Sequence, residues 1–92
     1  MNKFLDYESG YYFMADYIKV RQLLNELEQR NKRGELITWN EYFMRLNLPT
    51  PMFFSKQYIE SIYGYGFQLT FYLRPSDDER CIVIFTSDPE SL

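Results

Sequence analysis

The side chains in this chain that could do chemistry are mostly tyrosines and carboxylates. Nine Tyr and thirteen Asp or Glu stand beside ten Lys or Arg, one cysteine and no histidine. Without imidazole, His-based acid–base catalysis and the usual zinc ligand sets are excluded, and a single thiol makes no intrachain disulfide. Asp77-Asp78-Glu79 lacks the alternating ligands and glycine of an EF-hand loop, so it reads as a solvated turn rather than a cation site. Cys81 sits in an apolar run, where a thiol is usually inert filler. There is no G-x-x-x-x-G-K-[ST] loop for phosphates and no G-x-S-x-G elbow for a serine nucleophile. Gly64-x-Gly66 lacks the third glycine of a dinucleotide fingerprint. Two carboxylates suffice for glycosidase-like chemistry, but no spacing here sets up such a pair. The expectation is a non-enzymatic protein with no cofactor and no metal.

Contact is the alternative to catalysis, and the aromatic content points that way. Nine Tyr, eight Phe and one Trp make 20% of the chain aromatic. Each tyrosine brings a hydroxyl that wants water or a partner, and one small core cannot absorb all nine. Tyr is enriched in protein interfaces for that reason. Charge is uneven: residues 1–75 sum to +1, while 76–92 sum to −4 through Asp77, Asp78, Glu79, Asp88 and Glu90 against Arg80. Arg30-Asn31-Lys32-Arg33 is a local basic cluster of the kind that suits the last turn of a helix.

The elements that must position these residues follow from periodicity. At 92 residues, 46% hydrophobic and 25% charged, the chain is expected to be one soluble domain, 1–92. No apolar run is long enough for a membrane span or signal peptide, so a cytoplasmic location is expected. From about Tyr12 to Arg33, Tyr17, Val20, Leu24 and Leu27 recur at helical spacing, and Gly34 follows as a stop. Phe4–Tyr7 and Tyr11–Met14 around Ser9-Gly10 read as a short hairpin or as the approach to a helix beginning between Tyr11 and Asp16. The helix is the preferred reading. Thr38 and Glu41 form a capping box that predicts a helix over Trp39–Leu46, ended by Pro49 and Pro51. A third helix is predicted from Pro51 to Tyr63, or in a shorter version beginning at Ser55. Phe67–Arg74 alternates as a half-buried strand, 75–80 reads as a loop, and Cys81–Phe85 is apolar on both faces. A further layer, another strand or a partner chain must cover the second face of that last strand.

The predicted fold is therefore α+β: a long N-terminal helix, two short helices and a C-terminal antiparallel β-hairpin, with an extra N-terminal strand as a variant. This order resembles a winged helix-turn-helix domain, which would make Pro51–Tyr63 a recognition helix and Phe67–Phe85 a wing. The resemblance implies DNA contacts from Lys56, Gln57, Arg30, Lys32 and Arg33. An acidic wing tip at Asp77, Asp78 and Glu79 would be repelled by the phosphates it should touch. Gly64-Tyr65-Gly66-Phe67 is similar to the aromatic strand signature of the RNA-recognition motif, although Tyr63 stands where that family has a basic residue. Ile37–Met44 is similar to the opening helix of deoxycytidylate deaminases, whose zinc ligands this chain lacks.

The leading expectation is a small protein-binding module using Tyr63, Tyr65 and Tyr72 as anchors, with Asp77, Asp78, Glu79, Asp88 and Glu90 as acidic contacts. A basic, nucleic-acid-handling protein is the expected partner. The chain is similar in general type to short acidic phage or mobile-element inhibitors of restriction and CRISPR nucleases. Direct nucleic-acid or membrane contact is not expected, and a homodimer would form through Cys81–Phe85 or the first helix. A winged-helix regulator is the second reading.

Overall fold

The computed structural model describes residues 1–60, 67–78 and 80–91. It opens on two strands, not on a helix. β1 (Asn2–Asp6) and β2 (Tyr12–Ala15) are antiparallel, paired Asn2 with Ala15 through Leu5 with Tyr12. The turn between them is organised by Asp6: its Oδ2 accepts from Ser9 N at 2.8 Å and from Ser9 Oγ at 2.6 Å. Gly10 completes the turn at φ +77°, in the left-handed region that glycine enters without a Cβ penalty.

Helix α1 (Tyr17–Lys32) begins where its cap lies. Asp16 Oδ1 accepts from Ile18 N at 2.9 Å and Lys19 N at 3.3 Å, satisfying two of the orphan donors of the first turn. Upstream, Tyr12-Phe13-Met14-Ala15 alternates exposed and half-buried, which suits a strand. The long helix expected from about Tyr12 is thus shortened from its N-terminal side, and the hairpin reading of 4–14 replaces it. Gly34, at φ +100°, ends the helix, its N–H donating to Asn31 O.

Helix α2 (Trp39–Arg45) is capped by Thr38, whose Oγ1 accepts from Glu41 N at 3.0 Å. Glu41 does not reach back to close the box but engages Arg30 of α1. The predicted third helix is not formed over 51–58, and only Ile59 and Glu60 of its described residues are helical. Met52–Phe54 is a single 3-10 turn, and Tyr58 makes an isolated bridge with Thr38. Trp39 N donates to Gln57 O and Ile59 N to Ile37 O, so backbone groups at 57 and 59 are used for pairing rather than for helical bonds. Positions 61–63 of that prediction lie outside the described residues.

β3 (Tyr72–Ser76) and β4 (Cys81–Phe85) form the C-terminal hairpin. The predicted strand from Phe67 begins only at Tyr72. Leu69 N donates to Asn31 Oδ1 at 2.9 Å and Phe71 N to Glu28 Oε1 at 2.8 Å, which lays 69–71 along α1 instead of the sheet. Strand order is β2-β1-β4-β3, with β1 and β4 parallel. Among the described residues the architecture is α+β, with helices α1 and α2, a four-stranded mixed sheet, and strands at both ends of the chain. That corrects the expected helix-first, hairpin-last order and removes the winged-helix arrangement, which has no recognition helix over 51–58 and no isolated wing.

Both helices serve one face of this sheet. Val20, Leu24 and Leu27 of α1 and Trp39, Tyr42 and Phe43 of α2 share a core with Phe4, Ile84 and Phe71. Trp39 packs against Phe54 at 4.7 Å and Tyr42 stacks on Phe71 at 5.4 Å. No described helix is long and apolar enough to cross a membrane.

Candidate functional site

A pleated strand sends alternate side chains to opposite faces, so the register assigns each residue its side. Phe4, Phe13, Ile82, Leu73 and Ile84 point to the helices and belong to, or pack against, the core. Their neighbours point the other way. Leu5, Tyr7, Tyr12, Met14, Tyr72, Val83 and Phe85 take no part in that core, so this outer face carries an apolar and aromatic surface of its own. Val83 and Cys81 are buried within it without joining the core.

Three rows cross the face. The first pairs Met14 with Lys3 and Cys81 with Ser76. The second runs Tyr12–Leu5–Val83–Arg74 over all four strands. The third is aromatic: Tyr7 lies against Phe85 with ring centroids 4.8 Å apart, and Phe85 faces Tyr72 across the ladder. Tyr7 is 55% exposed, Tyr12 47% and Met14 58%, so these side chains present real surface. Lys3 Nζ lies 4.5 Å over the Tyr12 ring, and the Arg74 guanidinium lies 5.5 Å from the centre of Tyr72. Each is a cation–π contact that holds a charge beside a ring. Lys3 and Arg74 are the only charged side chains at the strand positions of this face, and no carboxylate occupies one.

At the end of the face near the β3–β4 turn, a shallow hollow of about 300 Å³ continues it. Lys3, Arg80, Asp77, Ser76 and Cys81 contribute to its lining, two cations against one carboxylate. A larger hollow of about 520 Å³ lies elsewhere, between β2, the start of α1 and the end of α2. It is mostly apolar, and Arg45 at its rim is committed to Glu26.

The outer face is held in place from beneath. Asp6, at the end of β1, is fully buried on the core side, and Tyr42 of α2 donates its hydroxyl to Asp6 Oδ1 at 2.6 Å. Burial pushes the Asp6 carboxyl above its ordinary range, against the opposing pull of the hydrogen bonds from Ser9 and Tyr42. Fixing Asp6 fixes the turn that follows it, and Tyr7 N then donates to Ile84 O at 3.1 Å, which places the Tyr7 ring beside Phe85.

Of the residues singled out from the sequence, Tyr72 lies on this face. Asp77 and Asp78 are exposed in the β3–β4 turn at one end of β4. Asp88 and Glu90 lie beyond its other end, where Asp88 Oδ1 accepts from Glu90 N at 2.9 Å. The acidic residues therefore flank the strand and are not gathered into one patch. Tyr63, Tyr65 and Glu79 lie outside the described residues. The basic candidates do not converge either. Arg30 is held by Glu35 and Glu41, which keep its guanidinium firmly charged. Lys32 and Arg33 are exposed at the end of α1, Lys56 is exposed after the 3-10 turn, and Gln57 Nε2 donates to Phe53 O.

Sequence reasoning missed Lys3, Leu5, Tyr7, Tyr12, Arg74 and Phe85 as one surface. The alternation at 3, 5 and 7 and at 12 and 14 was the available signal, and it disappears once that stretch is read as the start of a helix. Compared with family models, curated proteins and solved structures, the chain matches none of them.

Proposed function

We propose that this chain is a binding module that acts by contact rather than by bond-making, with the outer face of its sheet as the contact surface. One observation carries the reading. A full sheet face bears the rings of Tyr7, Tyr12, Tyr72 and Phe85 with Met14, stands apart from the core, and among the described strand positions is charged only by Lys3 and Arg74. Contiguous apolar surface of this kind marks interaction sites, and Tyr, Phe, Met and Arg are the residue types enriched in them. The rings are preset by the ladder and by the Tyr7–Phe85 contact, so little side-chain entropy is lost when a partner seats on them.

A second reading rests on Asp77 and Asp78, exposed at the hairpin tip. It places the contact there, against a basic nucleic-acid-handling protein, and makes the chain an inhibitor of the phage or mobile-element type. Two variants of the full chain separate the readings: Tyr7→Ser with Tyr72→Ser, and Asp77→Ser with Asp78→Ser. Each is used as bait for affinity capture from the native host, after melting curves show the fold intact. Loss of the captured partner with the tyrosine variant alone supports the sheet face. Loss with the aspartate variant alone supports the tip and refutes the sheet-face reading.

A further inference from the structure

We infer that the outer sheet face takes single-stranded nucleic acid, with bases stacked on its aromatic row and phosphates over its cations. The inference rests on the outer face being the contact surface and names its occupant.

The charge pattern narrows the occupant first. The chain carries −3 overall, yet the strand positions of this face carry Lys3 and Arg74 and no carboxylate. A second copy would bring two more cations and no strand-position carboxylate to the same interface, a charge sum with no acid to answer it, which disfavours a face-to-face dimer. The same sign disfavours a basic protein surface. An anionic occupant is complementary.

The arrangement of rings then selects among anions. Tyr7, Phe85 and Tyr72 stand side by side in one row, and the strands that carry them are spaced by about 4.8 Å. A peptide docking on a sheet wants an open edge or side-chain pockets. Here the rings form an apolar row on the face itself; Pro75 removes a donor from the edge strand β3, and strand addition at the other edge, β2, would leave the rings and cations of the face unused. A platform of rings bordered by cations is the arrangement that binds single strands without sequence preference, because every base has a π-face. Arg74 sits one row from the aromatic row, Lys3 one row further, and Arg80 lines the hollow beyond them. Cations thus border the ring row on the side of the β3–β4 turn, with Lys3 over Tyr12 and Arg74 beside Tyr72. Asp77 shares the hollow and Asp78 is exposed in the adjoining turn, and together they offset its cations, which confines the phosphate contribution to Lys3 and Arg74 on the face and leaves stacking dominant.

The test uses the full chain and a fluorescein-labelled oligothymidylate of about 15 nucleotides, long enough for one such site. A duplex of equal length and polyglutamate are the controls. Binding is read by anisotropy over a salt series and located by amide chemical shifts. The expected result is binding to the single strand above the duplex, with shifts concentrated at residues 3–7, 12–14, 72–74 and 83–85. Tyr72→Ala should weaken it roughly tenfold, the loss of one stacked base. Lys3→Gln with Arg74→Gln should flatten the plot of log affinity against log salt by about 1.4, from two phosphate contacts at about 0.7 each. Melting curves confirm that each variant folds. No single-strand binding at low salt, equal binding to the duplex, or affinity unchanged by these variants overturns the inference. Polyglutamate bound as well as the oligonucleotide also overturns it, in favour of an acidic protein partner. If the oligonucleotide fails while Tyr7→Ser with Tyr72→Ser still abolishes capture of a host partner, only the occupant is wrong and the contact surface stands.

Discussion

Replacing Tyr42 by Phe removes one oxygen from the middle of the protein and leaves the ring stacked on Phe71. The lost hydroxyl is a donor, 2.6 Å from Oδ1 of a carboxylate that is fully buried. Ser9 N and Ser9 Oγ remain on Oδ2, so the variant strips one of the three donors given to Asp6. A hydrogen bond to a charged group contributes about 1.5–3 kcal/mol, and at a buried carboxylate the loss should fall near 2 kcal/mol at neutral pH. For a domain of this size each kcal/mol moves Tm by about 4–8 °C, so the variant should melt about 8–16 °C lower. The pH dependence follows from the direction of the Asp6 shift. Its folded pKa is raised above the ordinary 3.8 by burial, so its favourable contribution is fully present below 3.8 and is lost as pH rises through the higher folded value. The Tyr42 bond opposes that rise by favouring the ionised form. Phe at 42 should therefore push the folded pKa higher still and deepen the loss of stability as pH rises through it. Thermal melts at a series of pH values for wild type and variant measure both effects. A deficit under about 0.5 kcal/mol at neutral pH, or one of equal size at acid and neutral pH, would refute this account of Asp6 as a buried carboxyl held by α2.

Two further substitutions test the elements that place the outer face. Asp16→Ala removes the side chain that receives Ile18 N and Lys19 N, and should cost about 1 kcal/mol in urea unfolding, with Asp16→Asn recovering most of it. Glu28→Ala leaves Phe71 N without its acceptor in a half-buried setting and should cost about 1–2 kcal/mol. Glu28→Gln keeps an oxygen there and should cost less than half as much, and faster amide exchange at Phe71 in the alanine variant alone would locate the effect.

The legible parts of this fold are those whose signals are local. Thr38 with Glu41 marked the start of α2, Gly34 the end of α1, and the apolar run at 81–85 became β4 over those same residues. What misled was a helical stripe that begins at Tyr17 beside a strand that ends at Ala15. Both periods fit Tyr12–Ala15 over so few residues, and only the cap at Asp16 decides between them. The other errors arise from long-range partners. Nothing near Leu69 or Phe71 in sequence announces that Asn31 and Glu28 will take their N–H groups, and nothing near Gln57 announces its bond to Trp39. The expectation that something cover the second side of Cys81–Phe85 is not met by β1, which flanks β4 in the plane of the sheet and leaves that side as the outer face. The parallel neighbour itself was not readable, because a parallel pair leaves no turn in the sequence to mark it.

The acidic tip at Asp77, Asp78 and Glu79 was the ground for setting nucleic acid aside, and the fold changes what the net charge around it means. Many of the carboxylates behind the total of −3 are engaged in the helical layer and its connections. Glu35 and Glu41 hold Arg30, Glu26 holds Arg45, Asp16 caps α1, Glu28 and Glu60 accept from backbone or Asn31, and Asp6 is enclosed beneath α2. Asp77 and Asp78 occupy a turn at the margin. What a partner meets on the outer face is the local field, and with a screening length of about 8 Å at physiological salt, distant acids contribute little to it. A chain that is acidic as a whole thus presents a cationic, ring-bearing surface. The sign that governs recognition is fixed by strand register: a one-residue slip of β1 would exchange Lys3 and Leu5 for Phe4 and Asp6, bringing a carboxylate onto the face and removing one of its two cations.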